Sequence, residues 1–463
     1  MSTATLWADL REAVRGSQQN YTEGPIGRAV LLLAVPMVLE TVMESVFAVA
    51  DVFYVSRLGP GAVATVGLTE TLITMVYTIA MGLSIGVTAT VARRIGEGDS
   101  EGAARAAVQA IAVGIGIAAA IGVVGALFAP RLLALMGASA AVIAIGSRYA
   151  AVMLGGNVVI VLLFLINAIF RGAGDAAVAM RVLWLANSIN IVLAPCLIFG
   201  PGPFPELGVT GAAIATTIGR GIGVLVQLRT LTRPGGRVTI ARRHLRLEPA
   251  AMWRLVRLSG TATLQVFVAT ASWIGLVRVL ATFGDAALAG YTIAIRIVIF
   301  ALLPSWGLGN AAATMVGQGL GAKKPDRAER AVWIAARYNF AFLGSIGAFF
   351  VLAAGPIVSL FTRDPAVAGH AVNCLRIVSL GFPLYAFGMI LEQSFNGAGD
   401  TWTPTWINLG CFWLFEIPLA WVVSVRLGVG PVGVFSAITA AYSMTAAVSW
   451  VLFRRGRWKL RVV

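Results

Sequence analysis

The stretch VPMVLETVMESVFAVADVFYVSR, from Val35 to Arg57, decides the fold because it is apolar for long enough to cross a bilayer. It nevertheless contains three carboxylates, at Glu40, Glu44 and Asp51. Helical steps of four and seven residues return to nearly the same face, so the three acids line one stripe about 16 Å long. A carboxylate in hydrocarbon costs at least about 2.5 kcal/mol on insertion scales. We therefore expect the stripe to face a bundle interior or a wet cavity.

Apolar stretches of this kind recur along the whole chain of 463 residues, of which 58% are hydrophobic and only 12% charged. The pattern predicts an all-α polytopic membrane protein. It excludes an outer-membrane barrel, whose segments would be short and alternating. Twelve transmembrane helices are expected, near residues 27–55, 62–92, 103–129, 141–170, 177–199, 208–231, 251–281, 286–317, 327–354, 367–395, 402–425 and 430–453.

The net charge of +15 comes from basic residues that concentrate in alternating loops. This is the distribution of cytoplasmic loops in membrane proteins, and it does not indicate nucleic-acid binding. It predicts a multi-pass protein of the inner (plasma) membrane with both termini in the cytoplasm. The three cysteines match no metal-binding spacing. We expect a monomer whose partners are the lipid bilayer and a small organic solute.

The two halves of the sequence repeat each other. FRGAGD, from Phe170 to Asp175, lines up with FNGAGD, from Phe395 to Asp400, an offset of 225 residues. Six spans in each half give parallel repeats related by a pseudo-two-fold along the membrane normal, with a substrate cleft expected between the lobes. The predicted domains are a cytoplasmic N-terminal segment, an N-lobe, a connector, a C-lobe and a basic tail, at 1–26, 27–231, 232–250, 251–453 and 454–463.

Several motifs resemble a known family when taken in order. They are RLGPGAVATVGL, GLSIGVTATVARRIGEGD, FRGAGD and NIVLAPCLIFG in the first half, with FGDAALAGYTIAIRI, GLGNAAATMVGQGLGAKKPD and FNGAGDTWTP in the second. Together they resemble the multidrug and toxic compound extrusion (MATE) family, closer to its DinF-type branch. The resemblance implies V-shaped six-helix lobes around a central cleft. It also implies export of cationic or amphiphilic organic compounds in exchange for H⁺ or Na⁺, with no cofactor besides that ion.

The resemblance places the family's first-span acid at Asp51 and two of its asparagines at Asn167 and Asn190. The second N-lobe acid of the DinF-type branch is replaced by Ala194, and the seventh span carries Gln265 where the NorM-type branch has an acid. We therefore consider a wider set of residues for the cation or proton site. This set consists of Asp51, Glu44, Glu40, Asn167, Asn190 and Asn187.

Two chemistries remain open for Asp51. Carboxylate and amide oxygens together suit a hard cation such as Na⁺, which makes Asp51 a candidate metal ligand. A lone carboxylate in an apolar site would instead carry a proton. A structural alternative pairs Asp51 with Arg57 at the helix end. Glu40 and Glu44 could likewise each pair with a buried arginine from another helix.

The predicted substrate cleft draws on residues from both halves, namely Glu70, Gln265, Arg296, Glu392, Glu416 and Trp413. Arg296 could instead form a buried ion pair with Glu392 or Glu416 and hold its lobe together. Two other functions stay open. A lipid-linked saccharide flippase of the same superfamily would need arginines for the diphosphate. An intramembrane enzyme would need a nucleophile–base pair or a metal motif such as HExxH, which the sequence lacks.

Overall fold

A computed structural model of the chain describes residues 3–17 and 19–461, and all regular secondary structure within them is helical. The first half contains α1 (Thr3–Arg15), α2 (Ile26–Ser56), α3 (Pro60–Gly96), α4 (Ser100–Leu135), α5 (Ala140–Gly155), α6 (Asn157–Ala173), α7 (Ala176–Phe199) and α8 (Val209–Thr232). The second half contains α9 (Pro249–Ala281), α10 (Asp285–Gly321), α11 (Pro325–Ser359), α12 (Pro365–Leu380), α13 (Phe382–Gly397), α14 (Trp402–Asn408), α15 (Ile417–Trp421) and α16 (Pro431–Arg454).

The helices confirm the expected all-α polytopic class. Eleven are long and apolar enough to cross a membrane, or up to twelve if one bent pair is counted as a single span. The eleventh span is irregular, because π-helical segments at Leu409–Glu416 and Val422–Arg426 separate α14, α15 and the loop that follows. The expected fourth span is likewise made of two helices, α5 and α6.

Two of the expected spans are interrupted at glycines that are equivalent in the two repeats, Gly156 and Gly381. At the second break, α12 and α13 meet at 56°. A Cβ at Gly156 would lie 2.9 Å from the carbonyl oxygen of Val152, so a larger side chain would not fit. Asn157 satisfies carbonyls at the first break, because its Nδ2 donates to the oxygens of Leu154 and of a residue in α4. Side chains of other helices also crowd the two breaks, because a Cβ would lie 3.1 Å from Thr217 at Gly156 and 3.1 Å from Thr439 at Gly381.

The two Gly-Asp turns are also equivalent and are held by ion pairs. Gly174 ends α6 in the left-handed conformation (φ 88°), which favours glycine, and Asp175 precedes α7. Asp175 pairs with Arg237 at 3.3 Å, and Asp400 pairs with Arg461 at 3.0 Å. Burial raises the pKa of Asp175, while the Arg237 charge opposes that shift. In each repeat, an arginine that follows the sixth span therefore pairs with the aspartate of the turn that follows the fourth span.

The chain divides into two compact units. The amino-terminal unit comprises Arg11–Gln18 and Leu39–Thr263, and the carboxy-terminal unit comprises Met1–Leu10, Gln19–Val38 and Leu264–Val463. The long helix α2 contributes to both, and all three acids of its stripe belong to the amino-terminal unit. The lobe boundaries predicted from the sequence stay a prediction.

Close helix packing in each unit depends on one repeated glycine. In the amino-terminal unit, a Cβ at Gly82 of α3 would lie 2.5 Å from the Cα of Thr263. In the carboxy-terminal unit, a Cβ at Gly307 of α10 would lie 2.7 Å from the backbone nitrogen of Val38. Small residues let helix backbones approach closely, which is how membrane helices gain packing energy. These contacts explain why the first part of α9 belongs to the amino-terminal unit and the first part of α2 belongs to the carboxy-terminal unit.

Candidate functional site

Glu40 forms a buried ion pair in the amino-terminal unit. Only 6% of the residue is exposed. Its carboxylate accepts hydrogen bonds from Arg171 Nη1 at 2.7 Å and Asn167 Nδ2 at 3.0 Å, both from α6. Gln227 of α8 donates in turn to the Asn167 oxygen at 2.6 Å. The structural alternative for Glu40, a buried arginine from another helix, is therefore what the structure shows.

Glu44 lies one turn further along α2 and has a similar set of partners. It accepts hydrogen bonds from Asn187 Nδ2 of α7 and Arg220 Nη2 of α8, each at 3.0 Å. The two charged side chains differ in exposure, because 28% of the Glu44 side chain is accessible but only 2% of that of Arg220. The pair therefore joins a half-buried acid to an arginine that is fully inside the protein.

Asp51 differs from both glutamates because no basic side chain pairs with it in the described part of the chain. Its Oδ1 is buried and has no hydrogen-bond partner there. The alternative helix-end pair with Arg57 is not formed, since the Arg57 guanidinium lies over the Phe53 ring, 4.5 Å from its centroid. Glu70 of α3 and Arg220 are the charged groups whose fields reach Asp51. Asp51 is thus the acid of the stripe that forms no ion pair with a described basic side chain.

The three asparagines predicted to surround Asp51 each donate elsewhere. Asn167 donates to Glu40 and Asn187 to Glu44, while Asn190 donates to Thr216 Oγ1 at 2.8 Å. Within residues 3–17 and 19–461, no three His, Cys, Asp or Glu side chains group as metal ligands. A Na⁺ site made by these asparagines with Asp51 stays a prediction.

Sequence reasoning missed the residue at the centre of this network, Arg220. Its guanidinium lies 5.5 Å from the centroid of Phe47 and 5.7 Å from that of Tyr77. Its Nε and Nη1 are buried and have no acceptor among the described residues. A single arginine in the middle of the expected sixth span was a usable signal, because an ionisable residue within a membrane span is a candidate functional residue by default. Arg171 and Gln227 gave no such indication, because Arg171 lies just beyond the expected fourth span and Gln227 is uncharged.

The carboxy-terminal unit contains a second pair of acids. Glu416 is the last residue of the first π-helical segment, directly before α15, and is only 3% exposed. Glu392, on α13, has a buried Oε1 that no described residue contacts by a hydrogen bond. The fields of both carboxylates reach Tyr385 and Cys411, so the acids belong to one cluster. Gln265 of α9 also has a buried oxygen for which the described residues offer no partner.

Two residues of the predicted substrate set have other surroundings. The alternative pairing of Arg296 with Glu392 or Glu416 is not formed among the described side chains, because Arg296 is exposed while Glu416 and the Oε1 of Glu392 are buried. Trp413 donates from Nε1 to the carbonyl oxygen of Val268 in α9, at 2.8 Å. Trp184 donates to the Leu39 oxygen of α2 in the same way, at 3.0 Å. Trp413 therefore links the first π-helical segment to α9 within the carboxy-terminal unit.

Comparisons with known proteins agree with this architecture. The family model described as MatE matches residues 36–196 and again 262–422, so each half of the chain matches it once. The "Probable multidrug resistance protein YoeA" of Bacillus subtilis is 25% identical over 431 residues, covering 92% of this chain and 93% of that protein. The "FAD transporter" of Shewanella oneidensis is 27% identical over 405 residues, covering 86% and 88%.

Solved structures give the same result. An outward-facing multidrug resistance MATE family transporter of the MOP superfamily aligns with a TM-score of 0.88 at 27% identity, covering 95% of this chain and 98% of that one. A MOP superfamily transporter from Pyrococcus furiosus aligns with a TM-score of 0.88 at 26% identity, covering 97% and 98%. The chain is a multi-pass membrane protein, and with both of its halves matched, it belongs to the MatE family.

Proposed function

We propose that this protein is a secondary active antiporter that exports organic compounds in exchange for H⁺ or Na⁺ by alternating access. Family membership supports a transporter rather than an enzyme. The relatives named above are a probable multidrug resistance protein and an FAD transporter. Coupling requires that the ion and the solute each prefer a different conformation, so that binding of one favours release of the other.

The observation that carries the proposal is the buried, unpartnered oxygen of Asp51. Glu40 and Glu44 on the same helix are each paired with an arginine in this structure, so neither offers an unpaired charge to a travelling ion. Asp51 has no such partner in the described chain and must bind a proton or cation, or remain an uncompensated charge at high cost. Binding at Asp51 therefore changes the charge of the amino-terminal unit, which is what a coupling site has to do.

Solute preference is proposed from the carboxy-terminal unit. Glu392 and Glu416 are acidic groups there without an ion pair to a described basic side chain, which favours a cationic or amphiphilic solute. The flippase alternative needs arginines free to bind a diphosphate, but Arg171 is paired with Glu40 and Arg220 with Glu44. The name of the Shewanella relative makes FAD a second solute to test.

The remaining parts of the proposal concern placement. We place the protein in the plasma membrane as a monomer. Both termini are placed in the cytoplasm, since basic residues concentrate in the loops on that side. Labelling of single cysteines introduced in the connector and the tail, from either face of sealed vesicles, tests the orientation. Reaction of both sites from the outside of right-side-out vesicles would contradict it.

The function itself is tested with purified protein in liposomes. Vesicles loaded with ethidium, or with FAD, receive a pH gradient or a Na⁺ gradient separately. We expect flux with one gradient, and we expect Asp51→Asn to abolish it at normal expression. Asp364→Asn is the matched control, because Asp364 caps α12 and asparagine caps helices equally well. Gradient-driven flux that is unchanged in Asp51→Asn would move the coupling site elsewhere.

A further inference from the structure

Arg220 is an unusual residue for a membrane helix because its charge is only partly satisfied. One of its nitrogens, Nη2, donates to Glu44 at 3.0 Å. The two others, Nε and Nη1, are buried and have no acceptor among the residues that the structure describes. Buried donors of a charged group are normally paired, because leaving them unpaired is costly. A guanidinium with spare donors is therefore expected to find a second acceptor in another state of the protein.

Asp51 is the complementary group in the same unit. Its Oδ1 is a buried acceptor without a described donor, and the field of Arg220 reaches it. Glu44 and Asp51 lie seven residues apart on α2, so they share a face of the helix and are separated by about two turns. One cation on α8 thus faces two acids on α2, of which it pairs with only one.

We propose that Arg220 is the exchangeable counter-cation of the coupling site: it pairs with Glu44 while Asp51 carries a proton, and it turns toward Asp51, directly or through a water, when that proton leaves. The inference rests on the proposed function and deepens it, because it assigns a proton rather than Na⁺ as the coupling ion. A guanidinium that moves to the vacated carboxylate competes with any metal cation for the same place. The partial exposure of Glu44 suits the exchange, since water can solvate that acid after Arg220 turns away.

Other charged and titratable groups around Asp51 do not supply such a partner. Glu70, from α3, is an acid and adds negative charge. Tyr149, from α5, is buried near Asp51, and Tyr77, from α3, contacts Arg220 through its hydroxyl as well as its ring. On α7 the facing polar residues are asparagines, which carry no charge. Arg220 is therefore the one basic group whose field reaches Asp51 in the described chain.

The test follows protonation of Asp51 directly, by infrared spectroscopy of the protein in lipid membranes as pH is varied. The carboxyl band that is absent in Asp51→Asn reports this residue. In Glu44→Gln, Arg220 loses its present partner and is free for Asp51, so we expect the protonation midpoint to fall by about one pH unit or more. In the double variant Arg220→Gln with Glu44→Gln, Asp51 loses its cation, so we expect the midpoint to rise by about as much.

The double variant separates this role from a structural one. It removes both charges of the buried pair together, which proteins commonly tolerate, so the fold is expected to persist and is checked by thermal unfolding. Arg220→Lys keeps the cation and is expected to stay near the wild-type midpoint. Midpoints that coincide in the wild type, Glu44→Gln and the double variant would overturn the exchange. Opposite midpoint shifts with no gradient-driven flux in the wild type would instead overturn the proposed function alone.

Discussion

Replacing Arg171 by methionine tests whether Glu40 is a structural acid. Glu40 is 6% exposed, and its carboxylate receives two hydrogen bonds, of which the shorter, at 2.7 Å, comes from Arg171. Methionine fills similar space but removes the charge, so the carboxylate remains buried with only Asn167 as a donor. Breaking a buried ion pair on one side costs about 3–5 kcal/mol, because the remaining charge is uncompensated. We expect Arg171→Met to lose about that much free energy of unfolding.

The double variant Arg171→Met with Glu40→Gln provides the control. Glutamine keeps an oxygen that can accept from Asn167, and the unit no longer contains an unpaired charge. Because neutral replacements of buried ion pairs are often tolerated, we expect most of the lost stability to return. Unfolding is followed by circular dichroism as the protein is titrated with SDS in mixed micelles. A single variant that loses less than about 1 kcal/mol, or a double variant as unstable as the single one, would refute the structural assignment.

Two further predictions concern packing. Trp184→Phe and Trp413→Phe each remove one indole donor to a helix carbonyl, so each is expected to lose about 1 kcal/mol in the same unfolding assay. A loss confined to one of the two would contradict the expectation that both indole hydrogen bonds stabilise the fold. Gly172→Ala is expected to lose about 1–3 kcal/mol, because its Cβ would lie 2.9 Å from the carbonyl oxygen of Thr88. Gly116→Ala is the control, since a Cβ there meets nothing within 4 Å, and equal effects would contradict the packing argument.

The class of the fold could be predicted from the sequence because membrane spans are defined by length and hydropathy alone. The stretch from Val35 to Arg57 lies almost wholly within α2, and the repeated Gly-Asp turns were found because glycine and aspartate have local roles there. The breaks at Gly156 and Gly381 were not predicted, because they depend on side chains of other helices. The division of α2 between two units depends on the same kind of contact.

The candidate site could be predicted only in part. An acid within an apolar stretch is recognisable from the sequence alone, so Glu40, Glu44 and Asp51 were found. Which acid stays unpaired depends on where α6 and α8 place their arginines, and no pattern within α2 contains that information. The alternative ion pair of Arg296 was open for the same reason, because helical position relative to the neighbouring helices decides whether an arginine is buried or exposed.

The ion pairs of Asp175 with Arg237 and of Asp400 with Arg461 have a consequence for how such a chain arises by duplication. Each arginine lies after the last membrane helix of its half, so a copied segment keeps its own ion pair only if it extends past that helix. A gene cut close to Thr232 would leave the aspartate of the first copy without its partner. We expect that co-expressed halves divided after Arg246 would assemble better than halves divided at the end of α8.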